Sequence, residues 1–455
     1  MKYTFLWLIV AATAHAELAP NIVFICTDDQ GAWTVGSHDS PTPNIARLFR
    51  EGAHLKNAFV TTPVCSPSRA GLMSSRYGTE LGVTDYLNHS AEPDNGLDPS
   101  LTLWPEILQA GGYQTAFIGK WHLGQLDQYL PTANGYDHFY GFRSGAGISR
   151  DPRVETNGKV QQVAGYTPDL LTSEAIRYIR HRDADRPFLV NLHFWAPHAN
   201  TANRSPDGDR TWKPLRADDW APFAGLKPQL VDYAKLDIPR ATRMMREYLA
   251  AVASVDRNVG YLLDALDEIG IARDTIVVFT SDHGYNLSHH GLWHKGNGRW
   301  LLTDEQGPRA NMFDHSLRTP AVVRWPAKIE GGREVDPIIL NLDWYPTLVS
   351  LAGLNIPAGT RLRGQDFSPL LFGESIPWRT EFYGEYKQLH VEQVDQRMWR
   401  TPEWKLVRDS RPGMGELYDL SNDPEELINR FEDPSARVMR EQLSAKLNKF
   451  IEEIQ

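Results

Sequence analysis

The chain has 455 residues, 41% of them hydrophobic, and carries 47 Lys and Arg against 57 Asp and Glu, a formal charge of −10 at pH 7. This length is sufficient for a large hydrophobic core with a smaller unit beside it, and no internal repeat or low-complexity tract interrupts it. The acidic balance argues against nucleic acid as the main partner, although local positive charge can still bind an anionic substrate.

The first sixteen residues have the pattern of a secretory signal peptide. Lys2 gives a basic start, residues 5–12 are apolar, and Ala14-His15-Ala16 matches a small-residue cleavage site. The apolar run is too short to span a membrane, and a buried N-terminal strand is the alternative. We therefore expect an exported protein, periplasmic or extracellular, whose mature chain has 46 basic and 57 acidic residues, a charge of −11.

Strands and helices alternate along most of the chain. Apolar, β-rich runs predict strands at residues 21–30, 113–119, 188–194, 275–284 and 319–325. Helical periodicity predicts helices at residues 43–50, 100–110 and 242–269, the last of them stopped by Gly270. Uninterrupted apolar strands suit parallel pairing with both faces covered. The sequence therefore predicts an α/β fold in which a mostly parallel central sheet is sandwiched by helices.

The pattern changes near residue 375. The segments EFYGEY, RMWRTPEWKLVRD and GELYDLSNDPEE predict short antiparallel strands, and residues 435–454 predict an amphipathic helix. We interpret residues 376–455 as a small C-terminal α+β subdomain with an antiparallel sheet, packed on a main domain at residues 17–375.

Two of the predicted strands end in acidic pairs. Asp28 and Asp29 close the first strand, and Asp282 and His283 close the strand that begins near residue 275. One acidic pair alone could be a solvated turn. Because ligands of such sheets bind beyond the carboxyl ends of the strands, this architecture can bring the two ends together into one site.

The two cysteines, Cys26 and Cys65, have different surroundings. Cys26 lies in an apolar run and reads as a small core residue, although two cysteines of an exported chain could also form one disulfide. Ser66 is a suitable N-cap and Pro67 a suitable first helical residue, which places Cys65 at a helix N-terminus. Backbone N–H groups there favour an anion, and Arg69 lies one turn further on. An anion site beside a nucleophile and a core cysteine in a helix cap both remain open.

The spacing C-x-P-S-R at residues 65–69, followed by Ala-Gly, resembles the sequon of type I sulfatases, which belong to the alkaline-phosphatase-like superfamily. The resemblance extends over nearly the whole mature chain. It implies that Cys65 is oxidised to formylglycine (3-oxoalanine) by a formylglycine-generating or anaerobic sulfatase-maturating enzyme. It also implies that one hydroxyl of the hydrated aldehyde attacks sulfur while the second later releases the sulfate.

The resemblance implies a metal site as well. Its ligands would be Asp28, Asp29, Asp282, His283 and the oxidised Cys65. Carboxylate oxygens suit a hard divalent cation, so Ca²⁺ is favoured and Mg²⁺ is the alternative. His283 stands where many relatives have Asn, and His is a known variant of the family.

Three further segments match the family: GKWHLG, HFWAPH and HHGLWHKG. By resemblance, Lys120 holds the oxidised residue and the anion, and His122 takes a proton when the sulfo-enzyme intermediate collapses. His198 and Lys295 would contact the sulfate, and either could protonate the leaving alcohol. His193 lies within a predicted strand and reads as structural. Together with Arg69, these cations would stabilise the transition state.

Substrate preference depends on loops. The segment at residues 199–220 and several aromatic or basic residues could line a sugar subsite: Trp33, Arg204, Arg210, His289, Trp293 and Trp300. The segment SDHGYN…HGLWHKG resembles most closely the branch with iduronate-2-sulfatases and bacterial polysaccharide sulfatases. A sulfated polysaccharide, or an oligosaccharide from one, is therefore the expected substrate.

Three alternatives remain. An arylsulfatase would differ only in the width of its pocket, and a formylglycine-dependent phosphonate monoester or phosphodiester hydrolase would share the fold. A two-zinc phosphatase would need a second Asp/His cluster, which the sequence does not reveal. An exported glycan-binding protein with an inactive site would be expected to lack Cys65, Lys120 or Asp282, and all three are present.

Overall fold

The computed structural model describes residues 19–145, 147–206 and 208–454. The predicted signal peptide lies outside the described residues. Among the described residues, no helix combines the length and the apolar character needed to cross a membrane.

The strands follow one another along the chain as β1 (Asn21–Asp28), β2 (Ala53–Phe59), β3 (Gln114–Lys120), β4 (His138–Phe142), β5 (Arg153–Thr156), β6 (Lys159–Gln162), β7 (Phe188–Pro197), β8 (Asn200–Arg204), β9 (Arg210–Thr211), β10 (Thr275–Ser281), β11 (Asn286–Leu287), β12 (Leu292–His294), β13 (Asn297–Trp300), β14 (Pro308–Ala310), β15 (Val322–Arg324), β16 (Arg333–Leu340), β17 (Phe382–Gln388), β18 (Val394–Arg400), β19 (Trp404–Asp409) and β20 (Glu416–Asp419). The helices are α1 (Pro43–Glu51), α2 (Cys65–Ser74), α3 (Gly78–Leu81), α4 (Trp104–Ala110), α5 (Thr167–Arg180), α6 (Ala217–Trp220), α7 (Ile238–Ile269), α8 (Asp314–Leu317), α9 (Trp344–Leu351), α10 (Ser368–Leu371) and α11 (Arg437–Ile454).

A ten-stranded mixed sheet in the order β16-β2-β15-β10-β1-β7-β3-β4-β5-β6 forms the centre of the described chain. Its middle is parallel, since β1 pairs in parallel with β10 and β7, and β3 with β7 and β4. The short strand β15 runs antiparallel to both of its neighbours, and β5 and β6 form an antiparallel edge. The predicted α/β fold with a mostly parallel sheet is confirmed.

Helices cover both faces of this sheet because its strands are apolar on both sides. Along β1, Ile22 and Phe24 pack into a core shared with α4 and α9, whereas Val23 and Ile25 pack into a core shared with α5 and α7. This is the burial expected of continuous apolar strands. Cys26 faces the first of these cores and is a free, fully buried thiol, as the sequence predicts.

Helix boundaries differ from the predicted ones where caps decide them. Helix α7 begins at Ile238, four residues before the predicted start, because the side chain of Asp237 caps it by accepting a hydrogen bond from the backbone N–H of Arg240 at 3.2 Å. Its end is as predicted, with Gly270 in a left-handed conformation at φ 79°. Helix α4 begins only at Trp104, four residues after the predicted start, and the Glu106 carboxylate accepts from the backbone N–H of Leu103 at its N-terminus.

The C-terminal region forms the predicted antiparallel sheet and final helix. Strands β17 to β20 are antiparallel neighbours in chain order, and α11 packs on them. Their core also includes Phe59 and Met312 of the preceding part of the chain. A buried ion network crosses the same contact, with Lys405 Nζ 2.9 Å from Asp314 and 2.5 Å from Glu426. The domain boundary near residue 375 stays a prediction.

A cluster of three histidines, with His290 buried and His289 and His315 partly buried, lies where α8 meets the loop before β12. The rings of His289 and His315 stack with their centroids 3.8 Å apart, and His290 stacks on Phe313 at 3.7 Å. One ring nitrogen of each histidine has no hydrogen-bond partner among the described residues. Burial lowers the pKa of all three, to about 3 for His290 and His315. The folded protein therefore holds these three rings neutral near neutral pH.

This cluster predicts a specific loss of stability in acid. Unfolded histidines bind a proton near pH 6.5, whereas these do not, so the free energy of unfolding falls as the pH drops below that value. We expect His315→Phe to reduce the loss of unfolding free energy between pH 7 and pH 5 by about 2 kcal/mol. Urea unfolding at both pH values measures it, with His181→Phe at an exposed position as the control. An unchanged pH dependence in His315→Phe would contradict this assignment.

Candidate active site

The two acidic strand ends lie side by side. Strands β1 and β10 pair in parallel with Thr27 opposite Ser281, so the residues that follow, Asp28 and Asp282, emerge together at the carboxyl edge of the sheet. Helix α2 points its N-terminus at the same place, and Cys65 Sγ lies 3.7 Å from Asp28 Oδ1. The fold therefore brings together residues that are far apart in sequence.

Helix α2 begins at Cys65 itself, so the predicted cap at Ser66 is wrong. Val64 is the N-cap, and Ser66 Oγ instead accepts a hydrogen bond of 3.0 Å from the backbone N–H of Leu87. Pro67 falls in the first turn, where a missing N–H costs nothing. Cys65 nevertheless lies at a helix N-terminus, as the sequence predicts.

Asp28, Cys65, Asp282 and His283 form one buried group whose ligand atoms lie within 4.8 Å of one another. His283 Nδ1 lies 2.9 Å from the carbonyl oxygen of Gly284, so Nδ1 carries the proton and the lone pair of Nε2 is free. That atom lies 3.2 Å from Asp282 Oδ1, and neither has a hydrogen-bond partner among the described residues. Clustered lone pairs without donors are costly unless a cation lies between them. This donor set fits a divalent metal ion.

Asp29 belongs to the edge of this group. Its Oδ1 lies 3.6 Å from His283 Nε2 and 2.7 Å from Lys295 Nζ. The predicted set of metal ligands is thus brought together, with Asp29 shared between the metal group and a lysine.

Three buried cations surround the three carboxylates. Arg69 Nε donates to Asp282 Oδ2 at 2.9 Å, and Lys120 Nζ forms an ion pair with Asp28 Oδ2. Lys295 Nζ donates to Cys65 Sγ at 2.8 Å in addition to its contact with Asp29. The inner site is therefore formally neutral before a metal ion or a substrate enters.

The pKa values reflect this balance. Burial works to raise the pKa of Asp28, but Lys120 and Lys295 outweigh it and hold that pKa well below its usual range. Burial raises the pKa of Asp29 to about 6. Burial and the charge of Asp28 also work to raise the pKa of the Cys65 thiol, yet the two lysines lower it to about 5. The two lysines thus stabilise negative charge at residue 65, where a nucleophile and an anion would meet.

His122 and His198 both line the cavity above Cys65. His122 Nε2 lies 3.2 Å from the carbonyl oxygen of Leu87. His198 Nδ1 lies 2.7 Å from the carbonyl oxygen of Ala199, so Nδ1 carries the proton, and Nε2 lies 3.7 Å from Asp29 Oδ2. His193 is buried, and its Nδ1 lies 3.0 Å from Arg69 Nη1. This agrees with the structural role predicted for His193 from the sequence.

A second group of potential ligands, Asp29, His198 and His294, also lies within 4.8 Å. The sequence does not predict this group, because the segment around His294 contains no spacing of residues typical of metal ligands. Two charges argue against a second cation there. Lys295 already pairs with Asp29 at 2.7 Å. Burial, followed by the charges of Lys295 and Arg210, lowers the pKa of both histidines.

Backbone strain concentrates at the site. Asp29, His122 and His294 have positive φ values of 69°, 60° and 85°, which are unfavourable for residues other than glycine. Position 119 accepts only glycine, because its φ is 118° and a Cβ there would lie 1.8 Å from the carbonyl oxygen of His193. Such strain is maintained where surrounding contacts fix a side chain for function.

A cavity of about 790 Å³ opens above Cys65. Of the predicted substrate residues, Arg204, Arg210 and Trp293 line it. Trp33, His289 and Trp300 do not, because each packs elsewhere: Trp33 on Tyr248, His289 on His315, and Trp300 beside the core around Phe313.

Several residues that line the cavity are not predicted from the sequence: Tyr86, His89, Gln125, Arg240, His294, Asn297, Arg299 and Gln306. Most of them lie on loops or short strands whose position depends on long-range packing. The adjacency of His294 to Lys295 was the one local signal.

Comparison with known proteins places this site in a family. The sulfatase family model matches residues 20–354, and the model for the C-terminal region of N-sulphoglucosamine sulphohydrolase matches residues 308–453. An N-acetylglucosamine-6-O-sulfatase of Bacteroides thetaiotaomicron is 29% identical, with 90% of this chain and 82% of that protein covered. An ulvan-active sulfatase of Formosa agariphila is 27% identical, with 96% and 81% covered.

A solved structure has the same fold. It is described as a complex with its substrate D-glucosamine-2-N,6-O-disulfate, and it is 26% identical with a TM-score of 0.78. The match covers 96% of this chain and 98% of the other.

The donor set predicts that a divalent cation stabilises the protein. Added to protein stripped with EDTA, Ca²⁺ at 100 times its Kd should add about 2.7 kcal/mol to the free energy of unfolding and raise the Tm. Asp282→Asn should lose most of this response, because it removes a carboxylate of the buried group. Asp304→Asn, which removes an exposed carboxylate paired with Lys235, is the control and should respond like the wild type. Equal responses in all three proteins would contradict a cation at this site.

Proposed function

The chain belongs to the sulfatase family, and on that basis we propose that it hydrolyses sulfate esters of a polysaccharide or of oligosaccharides cut from it. The observation that carries this proposal is Cys65 at a helix N-terminus, against two acidic strand ends and beneath a cavity lined by Lys120 and Lys295. Named relatives that act on sulfated carbohydrates support the substrate class.

Charge balance supports a bound cation. With three carboxylates matched by three basic side chains, the inner site has no surplus to bind a sulfate monoester, which carries one negative charge. Asp28, Asp29, Asp282, His283 and residue 65 would hold Ca²⁺, or Mg²⁺ as the alternative. The ion would supply the missing positive charge and polarise the oxygens it binds.

We propose that Cys65 is oxidised to formylglycine by a maturating enzyme. Only 4% of Cys65 is exposed, so that enzyme would have to act before the chain folds. The hydrated aldehyde would supply one hydroxyl that attacks sulfur and a second that releases the sulfate.

The basic residues then have distinct roles. Lys120 and Lys295 line the cavity together with residue 65 and would hold the sulfate oxygens as charge develops in the transition state. Arg69 holds Asp282 in place through its buried ion pair rather than reaching into the cavity. His122 lies at the cavity wall beside Lys120 and would take the proton when sulfate is released.

We assign protonation of the leaving alcohol to His198 rather than to Lys295. In-line attack puts the leaving oxygen on the side of sulfur opposite the nucleophile. Lys295 Nζ lies 2.8 Å from Cys65 Sγ, on the nucleophile's side. His198 lines the cavity and is held by the contact of Nδ1 with the Ala199 carbonyl oxygen, with its Nε2 3.7 Å from Asp29 Oδ2. The charge of a bound sulfate would favour its protonated form.

Export completes the proposal. Residues 1–16 have the pattern of a signal peptide, and sulfated polysaccharides lie outside the cell, so we propose a periplasmic or extracellular enzyme.

The test of function is release of inorganic sulfate from a panel of defined sulfated oligosaccharides. The panel includes an aryl sulfate and an aryl phosphodiester, which separate a small-ester sulfatase and a phosphodiesterase from the proposed enzyme. Cys65→Ala should abolish sulfate release with little loss of stability, and Cys65→Ser should stall as a sulfated enzyme.

Cys26→Ala is the matched control, because it removes the other buried cysteine and should keep the activity. The peptide containing residue 65 should be lighter than the thiol form by about 18 Da. Wild-type turnover by Cys65→Ala would overturn the mechanism.

A second prediction concerns the leaving-group acid. For alcohols or phenols of high pKa, His198→Gln should lower kcat/KM by roughly 10²- to 10⁴-fold, and for phenols of low pKa by much less. A series of aryl sulfates with different phenols measures this dependence. Lys295→Gln should lower kcat/KM by a similar factor across the series. The reverse pattern would assign the acid to Lys295.

A further inference from the structure

The wall of the cavity above Cys65 is rich in basic side chains although the chain is acidic. Its wall carries six basic side chains, Lys120, Arg204, Arg210, Arg240, Lys295 and Arg299, and one carboxylate, Asp209. The chain as a whole has a charge of −10. One sulfate ester carries only a single negative charge. It therefore matters which of these basic side chains already have a partner.

Most of these basic groups are already engaged. Lys120 and Lys295 pair with the buried carboxylates of the inner site, and Arg240 forms a bidentate ion pair with Asp209 at 2.6 Å. Arg204 is exposed, and its guanidinium donates to the backbone carbonyl oxygens of Thr201 and Asn203. Arg299 is exposed on β13 and therefore solvated.

Arg210 is different. It begins β9, next to the cavity, and is half-buried. Among the described residues it forms no ion pair within 4.0 Å and no side-chain hydrogen bond, because Asp209, its acidic neighbour in the chain, pairs with Arg240 and Arg243 instead. It lines the cavity together with His198, His294 and Tyr86. A half-buried guanidinium that lines a cavity and has no counter-ion among the described residues is available to bind an anionic ligand.

We infer that Arg210 binds a second acidic group of the substrate, a carboxylate or a second sulfate, beside the ester that is cleaved. The inference rests on the proposed function and narrows its substrate class to oligosaccharides with at least two acidic groups. A guanidinium matches both candidate groups because it can donate two parallel hydrogen bonds to their oxygens.

The surrounding groups fit this role. His294 lines the cavity with Arg210, and its Nδ1 lies 2.7 Å from Asn297 Oδ1, so Nε2 is left to accept a hydrogen bond from a sugar hydroxyl. Asp209, the adjacent acidic residue, is turned into its pair with Arg240 and does not compete for Arg210. The subsite would thus recognise an acidic group through Arg210 and a sugar hydroxyl through His294.

The test measures binding without turnover, in a Cys65→Ala background. Calorimetry gives Kd for three oligosaccharides that share the cleavable sulfate. The first carries a uronate carboxylate, the second has that carboxyl group reduced to an alcohol, and the third carries a second sulfate in place of the carboxylate.

At least one acidic form should bind about 10-fold or more tightly than the reduced form, as expected for hydrogen bonds to a charged group. Comparing the first and third oligosaccharides tells which acid the subsite prefers. Arg210→Gln should reduce the preference to about twofold, while binding of the reduced form changes little. Arg153→Gln, which changes an exposed arginine on β5 outside the cavity, is the control and should keep the preference.

Equal weakening of all three oligosaccharides by both variants would show a general positive field and overturn the inference. Failure of every acidic form to bind would overturn it too. Failure of the proposed function is recognised separately, because mature enzyme would then release no sulfate from any sulfated oligosaccharide in the panel.

Discussion

The structure depends on three carboxylates that are buried at the carboxyl ends of two parallel strands. A buried carboxylate is stable only when positive charge or hydrogen-bond donors compensate it. Asp28, Asp29 and Asp282 each have a basic partner, yet Asp282 Oδ1 and the neighbouring His283 Nε2 remain without donors among the described residues. This residual excess of lone pairs explains why the same place suits a divalent cation, and why the cation and an anionic substrate would bind cooperatively.

The fold positions this charge through its parallel centre. Because β1 pairs in register with β10, the two acidic ends must emerge side by side, and helix α2 adds its N-terminus and Cys65 to the same edge. The buried Arg69 ties the helix to β10 through Asp282 and to β3 through the carbonyl oxygen of Lys120. Loss of that one guanidinium would leave a buried carboxylate unpaired and loosen three elements together.

The inner site could be predicted from the sequence, and the outer cavity could not. Asp28 and Cys65 lie at the ends of strongly patterned elements, so local periodicity and one spacing motif locate them. The prediction that Trp33 and His289 line a sugar subsite is wrong, because each side chain packs into a space that only the tertiary fold creates. The position of His294 in the cavity could not be predicted for the same reason. His294 ends the short strand β12, which is placed by its pairing with β11. The prediction of an N-cap at Ser66 is wrong because its hydroxyl accepts a hydrogen bond from the backbone N–H of Leu87, twenty-one residues away.

The most direct measurement is the content of divalent metal in the purified protein, determined by elemental analysis after extensive dialysis. One equivalent per chain in the wild type, and much less in a variant that lacks the Asp28 carboxylate, is the result predicted by a single cation balancing the buried lone pairs. No bound metal would contradict the central claim. Two equivalents would contradict the argument that Lys295 and Arg210 exclude a second ion from the group formed by Asp29, His198 and His294.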